Sequence, residues 1–191
     1  MSDAPIRTTT NRGTVLVGRS SLALAFVLAL VVAAAPLHSS AEHTYDPEVV
    51  KAGVVAQLTR FVEWPANVGG PHPRVVDVVF LGASGVADAL RGRNGTSLRV
   101  RTVERPADVG RPHVLFVARS RDDQLPAVLG TLGALPVLVI GDGPSAARRG
   151  ASFGLRDDGS RVRLEVNRGA LDRTRLRVSY HVLRLSTEVT P

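Results

Sequence analysis

Three residues of this sequence, Ser179, His181 and Asp142, are of the types that form a hydrolase triad. A triad needs its serine and histidine in hydrogen-bond contact. Ser179 and His181 are two positions apart on a predicted helix, so their side chains diverge by about 200° around its axis. The sequence also lacks the G-x-S-x-G turn that presents the nucleophile in α/β-hydrolases. These patterns argue against a hydrolase, and we expect a protein that is not an enzyme.

Histidine and cysteine patterns are equally unfavourable for a metal or a redox centre. The sequence has five histidines and no cysteine. The four histidines beyond His38 are not closely spaced with one another or with a pair of carboxylates, as zinc ligands usually are. Without cysteine there is no disulfide, thiolate ligand or cysteine nucleophile. We therefore expect no metal site and no cofactor.

Two segments could bind a small ligand. Asp142 follows a predicted buried strand at its carboxyl end, where open α/β sheets place their ligands, although it could equally cap the turn after it. Arg148 and Arg149 follow closely and could contact an anion. The segment from Gly82 to Gly85 lies between a predicted strand and helix, but it lacks the glycine spacing of a dinucleotide-binding loop and is interpreted as a tight turn. Asp142, Arg148 and Arg149 are the candidate ligand-binding residues.

A different set of residues could bind a protein partner. Trp64 is the only tryptophan, and it stands at a predicted helix end before a segment rich in proline and glycine. Large aromatic side chains often dominate protein interfaces, but they are also common in cores, and both interpretations of Trp64 stay open. Trp64, Pro65 and Asn67 are the candidate partner-binding residues.

The first 41 residues have the pattern of a secretory signal peptide. A basic region ends at Arg19, an uncharged apolar run extends over residues 22–35, and Ser39-Ser40-Ala41 fits the cleavage rule for small residues. We expect cleavage after Ala41 and a periplasmic location, with an uncleaved membrane anchor as the alternative. A protein outside the cytoplasm would not meet free ATP or dinucleotides as substrates.

The net charge of +7 does not by itself indicate nucleic-acid binding. The basic residues are spread along the chain, and aromatic residues, which would stack on bases, make up only 4% of it. We expect no nucleic-acid partner. The sequence leaves the oligomeric state open, with a homodimer as one option.

The predicted elements alternate between helix and strand. A helix starts at Asp46-Pro47, where the aspartate can cap it, and ends near Glu63. One face of this helix carries apolar residues at helical spacing: Val50, Val54, Leu58 and Phe61. Apolar strands follow at about 74–81, 113–118 and 136–140, a strand with alternating charges at 98–104, and helices at about 86–90 and 122–132.

The final third is predicted as a hairpin followed by one long helix. Residues 152–155 and 161–166 flank a turn at Asp157-Asp158-Gly159. A helix capped by Asn167 would continue to about Ser186, with an inner face formed by Leu171, Arg175, Val178, Val182 and Leu185. The element order predicts one α/β domain over residues 42–191, with three layers: a mostly parallel sheet, helices on both faces and an antiparallel C-terminal hairpin edge.

Several segments resemble the YfiR-like family of periplasmic signalling repressors. The resemblance covers about residues 45–186, and its segments occur in the family's order: Val50-Lys51-Ala52, Phe61-Val62-Glu63-Trp64-Pro65, Leu81-Gly82, Arg111 to Phe116, Leu135 to Val139, Gly141-Asp142, Arg161 to Asn167, and Leu176 to Ser179. The sequence departs from the family at Gly150-Ala151-Ser152, where a double glycine is usual, at Ser179-Tyr180, where paired serines are usual, and in having no cysteine.

The resemblance implies a regulator that binds the sensor region of an inner-membrane diguanylate cyclase, or a similar membrane sensor, and represses it. Cyclic-di-GMP output would then fall. Redox control through disulfides cannot apply here because cysteine is absent. The alternative is an extracytoplasmic small-ligand binding protein that serves a transporter or a sensor kinase.

Overall fold

A seven-stranded sheet forms the centre of the computed structural model, which describes residues 45–93 and 97–189. The predicted signal peptide over residues 1–41 lies outside the described residues. In chain order the larger elements are α1 (Pro47–Arg60), β1 (Val62–Glu63), β2 (Val76–Leu81), α2 (Gly85–Arg91), β3 (Leu98–Val103), β4 (Val114–Val117), α3 (Leu125–Leu132), β5 (Leu138–Gly141), β6 (Phe153–Asp157), β7 (Val162–Val166), α4 (Arg168–Thr174), β8 (Arg177–Val178), α5 (Tyr180–Leu185) and β9 (Thr187–Glu188). Short 3₁₀ helices occupy Ala66–Val68, Pro106–Asp108 and Arg119–Gln124.

The strand order in the sheet is β3-β2-β4-β5-β6-β7-β9. The pairs β3–β2, β2–β4, β4–β5 and β5–β6 are parallel, and the β6–β7 hairpin is antiparallel. The predicted fold class is confirmed. One detail is added at the edge, because the two-residue strand β9 pairs with β7 in parallel beyond the hairpin.

Alternation along the central strands separates two cores. Even-numbered residues such as Phe80 and Phe116, whose ring centroids lie 4.8 Å apart, point to the side of α1 and α2. Odd-numbered neighbours such as Val79 and Leu115 point to the side of α3. Both faces of these strands are buried, which explains their continuous apolar runs.

Capping residues position the helices as the sequence predicted. The Asp46 side chain accepts hydrogen bonds from the backbone N–H groups of Glu48 and Val49, and Pro47 occupies the first turn. Asn167 is fully buried; its Oδ1 accepts from the Ala170 N–H, and its Nδ2 donates to the Ala147 carbonyl. Asn167 therefore both caps α4 and ties that helix to the turn after β5.

The long C-terminal helix is a wrong prediction. The helix stops at Thr174, Arg175 takes a left-handed conformation with φ of 58°, and β8 then pairs antiparallel with β1 through Val62 and Val178. A second short helix starts after Ser179, whose side chain accepts from the His181 N–H. Strand pairing with β1 supplies the tertiary contact that overrides the helical pattern.

The buried face of α1 also differs from the predicted one. Its buried residues are Lys51, Ala52, Val55, Ala56, Leu58 and Thr59. Val50 is 39% exposed and Phe61, at the end of the helix, is 44% exposed. Small alanines allow the helix to pack closely on the core, so part of the predicted apolar face turns outward.

Candidate functional site

Trp64 lies in the core with only 2% of its surface exposed. Its indole Nε1 donates to the His113 carbonyl oxygen at 3.4 Å, and the two rings meet edge to face with centroids 5.6 Å apart. The core interpretation therefore describes this side chain, which is not available to a partner in this conformation. Asn67 is exposed and Pro65 is partly buried.

His113 holds the segment after Trp64 against the sheet. Its Nδ1 accepts a hydrogen bond from the backbone N–H of Asp77 at 3.1 Å, which leaves the proton on Nε2. Nε2 then donates to the Val68 carbonyl at 2.9 Å. The hydrogen bond between His113 and Val68 attaches the loop that contains Asn67 to the start of β4. The loop therefore has a defined shape, although its sequence is rich in turn residues.

An apolar groove opens between α1, β7 and α5, and we call it the α1–α5 groove. It has a volume of about 610 Å³ and its apolar lining includes Val50, Val54, Leu58, Phe61, Val162, Leu164, Val182 and Leu185. Leu185 is 83% exposed and Tyr180, on the same short helix, is 69% exposed. Leu185 was predicted to lie on a buried face, and the break before α5 is the reason that it does not.

Within the described part of the chain, the charged residues that line this groove are all basic. They are Arg93, Arg161 and Arg163. Arg161 and Arg163 both form ion pairs with Asp158, at 3.3 and 3.0 Å, so one carboxylate is shared between two guanidinium groups. Hydrogen bonds from Ser160, together with those from the Arg163 side chain and the Arg161 backbone, hold the pKa of Asp158 well below its usual range. The groove therefore combines an apolar floor with a net positive rim.

A second, polar pocket lies outside the carboxyl ends of β2, β4 and β5, and we call it the switch-point pocket. Its volume is about 430 Å³. The turn after β2 contributes Ala83, Ser84 and Gly85, the turn after β4 contributes Ala118, Arg119 and Ser120, and the turn after β5 contributes Asp142; Glu48, Lys51, Asp157 and Gly159 complete the lining. The structure thus brings Asp142 together with the glycine-containing turn at residues 82–85.

A buried ion pair forms the floor of this pocket. The Nζ atom of Lys51 lies 2.9 Å from Oδ1 of Asp142 and 3.4 Å from Oε1 of Glu48. The side chains of Lys51 and Asp142 are 4% and 7% exposed. Burial raises the pKa of Asp142, and the Lys51 ammonium opposes that rise. The Lys51 ammonium is thus the close cationic partner of the buried Asp142 carboxylate.

Arg148 and Arg149 do not join Asp142 in the switch-point pocket. Arg149 forms an ion pair with the Asp122 carboxylate and donates from Nη2 to the Asp122 carbonyl at 2.8 Å, which fastens the turn after β5 to the 3₁₀ helix before α3. Arg148 is exposed and lines a separate cavity with Arg156 and Glu165. The three candidate ligand residues are therefore distributed over three places.

Sequence reasoning missed Lys51 and Arg119. One signal was present, because Lys51 is the only lysine among 24 basic residues and stands within an apolar helix. Burying a charged side chain on a helix face costs free energy unless another charge pairs with it. The residue that pairs with a buried lysine therefore indicates where to look for a site. Arg119 carried no comparable signal, since its position depends on how the turn after β4 crosses the sheet edge.

Within residues 45–93 and 97–189, no three histidine, aspartate or glutamate side chains converge on a point that could hold an ion. Each helix in that part of the chain is also too short or too polar to cross a lipid bilayer.

Comparison with solved structures finds two similar chains. A conserved domain protein from Vibrio cholerae O1 biovar El Tor shares 15% identity and a TM-score of 0.47, over 74% of this chain and 60% of that one. The ABC domain in complex with L-Trp from Streptococcus pneumonia shares 9% identity and a TM-score of 0.52, over 76% and 61%. The chain spans about three fifths of the length of these structures. The second likeness concerns the fold alone.

Comparison with protein families is more specific. None of the curated proteins compared with the chain matches it. Residues 48–187 match the model of the family described as YfiR/HmsC-like, which is well over half of the chain. The chain therefore belongs to the YfiR/HmsC-like family, as the sequence resemblance predicted.

Proposed function

We propose that this YfiR/HmsC-like protein is a periplasmic regulator without enzymatic activity, which binds the sensor region of an inner-membrane diguanylate cyclase and represses it. Family membership supports a periplasmic regulator that acts through a protein partner. The observation that carries the proposal is the α1–α5 groove, an apolar surface that the fold leaves uncovered. The proposed consequence of binding is a lower cyclic-di-GMP level.

The groove has the composition of a protein-binding surface. Large apolar side chains are exposed next to one another in the groove: Phe61 is 44% exposed and Leu185 is 83% exposed. Contiguous apolar patches with polar rims mark interaction sites on soluble proteins, whereas single exposed apolar residues do not. An aromatic anchor in a concave surface is a frequent source of binding energy. Phe61 takes the anchoring role for which Trp64 was one candidate in the sequence.

The proposed occupant is an apolar segment of the partner's periplasmic region that also carries acidic residues. Arg161 and Arg163 share one carboxylate, so the rim retains positive charge that such residues would complement. The loop with Pro65 and Asn67 follows Phe61 closely in the chain and is held rigid by His113. We propose that this loop adds polar contacts to the apolar anchor.

Complementation with groove variants tests this proposal. Deleting the gene should raise cyclic-di-GMP and surface attachment, and the parent protein should restore both. Phe61→Glu should fail to restore them while it melts like the parent, because it places a charge on the docking surface and leaves the core intact. Val75→Glu is the matched control, since Val75 is 42% exposed and lies outside the groove.

Two results would count against the proposal in different ways. Unchanged cyclic-di-GMP after deletion would show that the protein is not a repressor of such a cyclase. Full complementation by Phe61→Glu, after a clear effect of the deletion, would show that repression uses another surface. Loss of uptake or sensing of one solute after deletion would instead favour an extracytoplasmic ligand-binding protein.

A further inference from the structure

The switch-point pocket lies at the point where the order of the strands reverses. From β2 the chain crosses to β3 on one side, and it then returns to β4 on the other side of β2. The turns that leave β2 and β4 therefore run apart and open a crevice between them, which is where open α/β sheets bind ligands. Gly82 permits the close approach of these turns, because a Cβ there would lie 2.6 Å from Cγ of Arg121.

Buried polar groups in the pocket are not fully satisfied by the protein. Lys51 has three N–H donors, and among the described residues it contacts two carboxylates, those of Glu48 and Asp142. The Asp142 side chain is only 7% exposed, and its cation partner is the Lys51 ammonium, 2.9 Å from Oδ1. Buried polar groups normally have their donors and acceptors paired, so the third N–H of Lys51 and the second carboxylate oxygen of Asp142 can pair with a ligand or water in the pocket.

The rim supplies further donors. Nε of Arg119 donates to the Asp142 carbonyl at 3.3 Å, which orients the guanidinium over the pocket. Within the described residues no carboxylate lies within 4.0 Å of Arg119. The hydroxyl groups of Ser84 and Ser120 also face the pocket, and the Ser84 oxygen accepts from the Val86 N–H, which leaves its proton available.

Charge balance selects the class of ligand. The lining has two cations, Lys51 and Arg119, and three carboxylates, those of Glu48, Asp142 and Asp157. A ligand carboxylate would meet those acidic groups, and a ligand amine would meet the two cations. The end of α2 near Gly85 is already covered by the Glu48 side chain, so an anion is not favoured there either. Hydroxyl groups both donate and accept, and they suit a lining in which donors and acceptors alternate.

We propose that the switch-point pocket binds a small neutral polyol of monosaccharide size, whose hydroxyl groups are hydrogen-bonded by Lys51, Asp142 and Arg119. The pocket volume of about 430 Å³ lies within the range of small-molecule sites. Its lining shares no residue with the α1–α5 groove. The proposal of a ligand site is therefore tested independently of the proposal of partner binding at the α1–α5 groove.

Calorimetric titration of the purified protein with D-glucose, D-galactose and D-mannose tests the proposal, with acetate and glycine as charged probes. At least one sugar should bind saturably, and the charged probes should not.

Asp142→Asn should weaken sugar binding by about tenfold or more, because one acceptor of a buried hydrogen-bonding set is lost. Arg119 is exposed and lies outside the core. Arg119→Gln should therefore weaken sugar binding without unfolding the protein. Arg148→Gln is the matched control, since that exposed arginine lies outside the pocket, and it should bind like the parent.

Three results would overturn the proposal. No saturable binding of any of the three sugars to the folded protein would remove the polyol class. Equal sugar affinity in the parent, Asp142→Asn and Arg119→Gln would place the binding elsewhere. Saturable binding of acetate or glycine alone would show that the pocket selects charge rather than hydroxyl groups. None of these measurements depends on repression, so they do not bear on the Phe61→Glu experiment.

Discussion

Trp64 and Phe61 show how neighbouring aromatic residues acquire opposite roles. They are three positions apart, yet one is 2% exposed and the other 44%. The short strand β1 lies between them and turns successive side chains to opposite sides, so Trp64 packs against His113 while Phe61 faces the α1–α5 groove. The role of each aromatic depends on the strand pairing that holds this turn in place.

Trp64→Ala should lower the free energy of unfolding by about 3–5 kcal/mol, because it removes a large buried ring and leaves a cavity. The indole hydrogen bond to the His113 carbonyl is lost as well. Chemical denaturation followed by circular dichroism measures this change. Asn67→Ala, at an exposed position of the loop that follows, is the control and should change stability little. A Trp64→Ala protein as stable as the parent would show that the ring is not part of the core.

The C-terminal segment illustrates how strand pairing overrides a helical pattern. Leu171, Val178 and Leu185 recur at seven-residue spacing, which predicts one face of a continuous helix. The segment instead pairs with β1 at Val178, and the Ser179 N–H donates to the Phe61 carbonyl at 2.9 Å. Backbone groups of residues 177–179 thus find partners in β1 and Phe61 instead of within a helix. The restart of the helix after Ser179 turns Leu185 outward.

This break predicts different outcomes for two similar substitutions. Val178→Asp should lower the free energy of unfolding by roughly 1–3 kcal/mol, because Val178 packs against the core opposite Val62 and a carboxylate there loses hydration. Leu185→Asp should change it by no more than about 0.5 kcal/mol, since Leu185 is 83% exposed. Thermal and urea melts of the two variants make the comparison. Equal destabilisation by both would favour the continuous helix.

At the scale of the complete protein, the location of the domain depends on the N-terminal segment. We expect export and cleavage after Ala41, because a basic region, an apolar run and Ser39-Ser40-Ala41 occur in the required order. Mass spectrometry of the envelope fraction should find Glu42 as the first residue. An intact N-terminus in the membrane fraction would indicate the uncleaved anchor, whereas an intact chain in the cytoplasm would contradict a periplasmic function.

The two proposed surfaces divide α1 between them. Its buried face carries Lys51 toward the switch-point pocket, while Val50, Val54 and Phe61 line the α1–α5 groove. A single rigid helix therefore contacts both sites. A ligand in the switch-point pocket would change the affinity for the partner only under one condition. It would have to bind the partner-competent conformation with a different affinity from that for the other conformations. Titrating partner binding with and without sugar would measure that coupling.

The amino-acid sequence alone determined the fold class, the family, the helix caps and the buried strands. The family follows from a resemblance along most of the chain. The strands and caps follow from local rules: apolar β-branched runs form buried strands, and Asp46 and Asn167 can cap helices through their own side chains. Tertiary structure decided which face of α1 is buried, where the last helix breaks and which turns surround Asp142. These depend on contacts between distant segments, such as Lys51 with Asp142 and β1 with β8, and no local pattern encodes the partner of a residue so far along the chain.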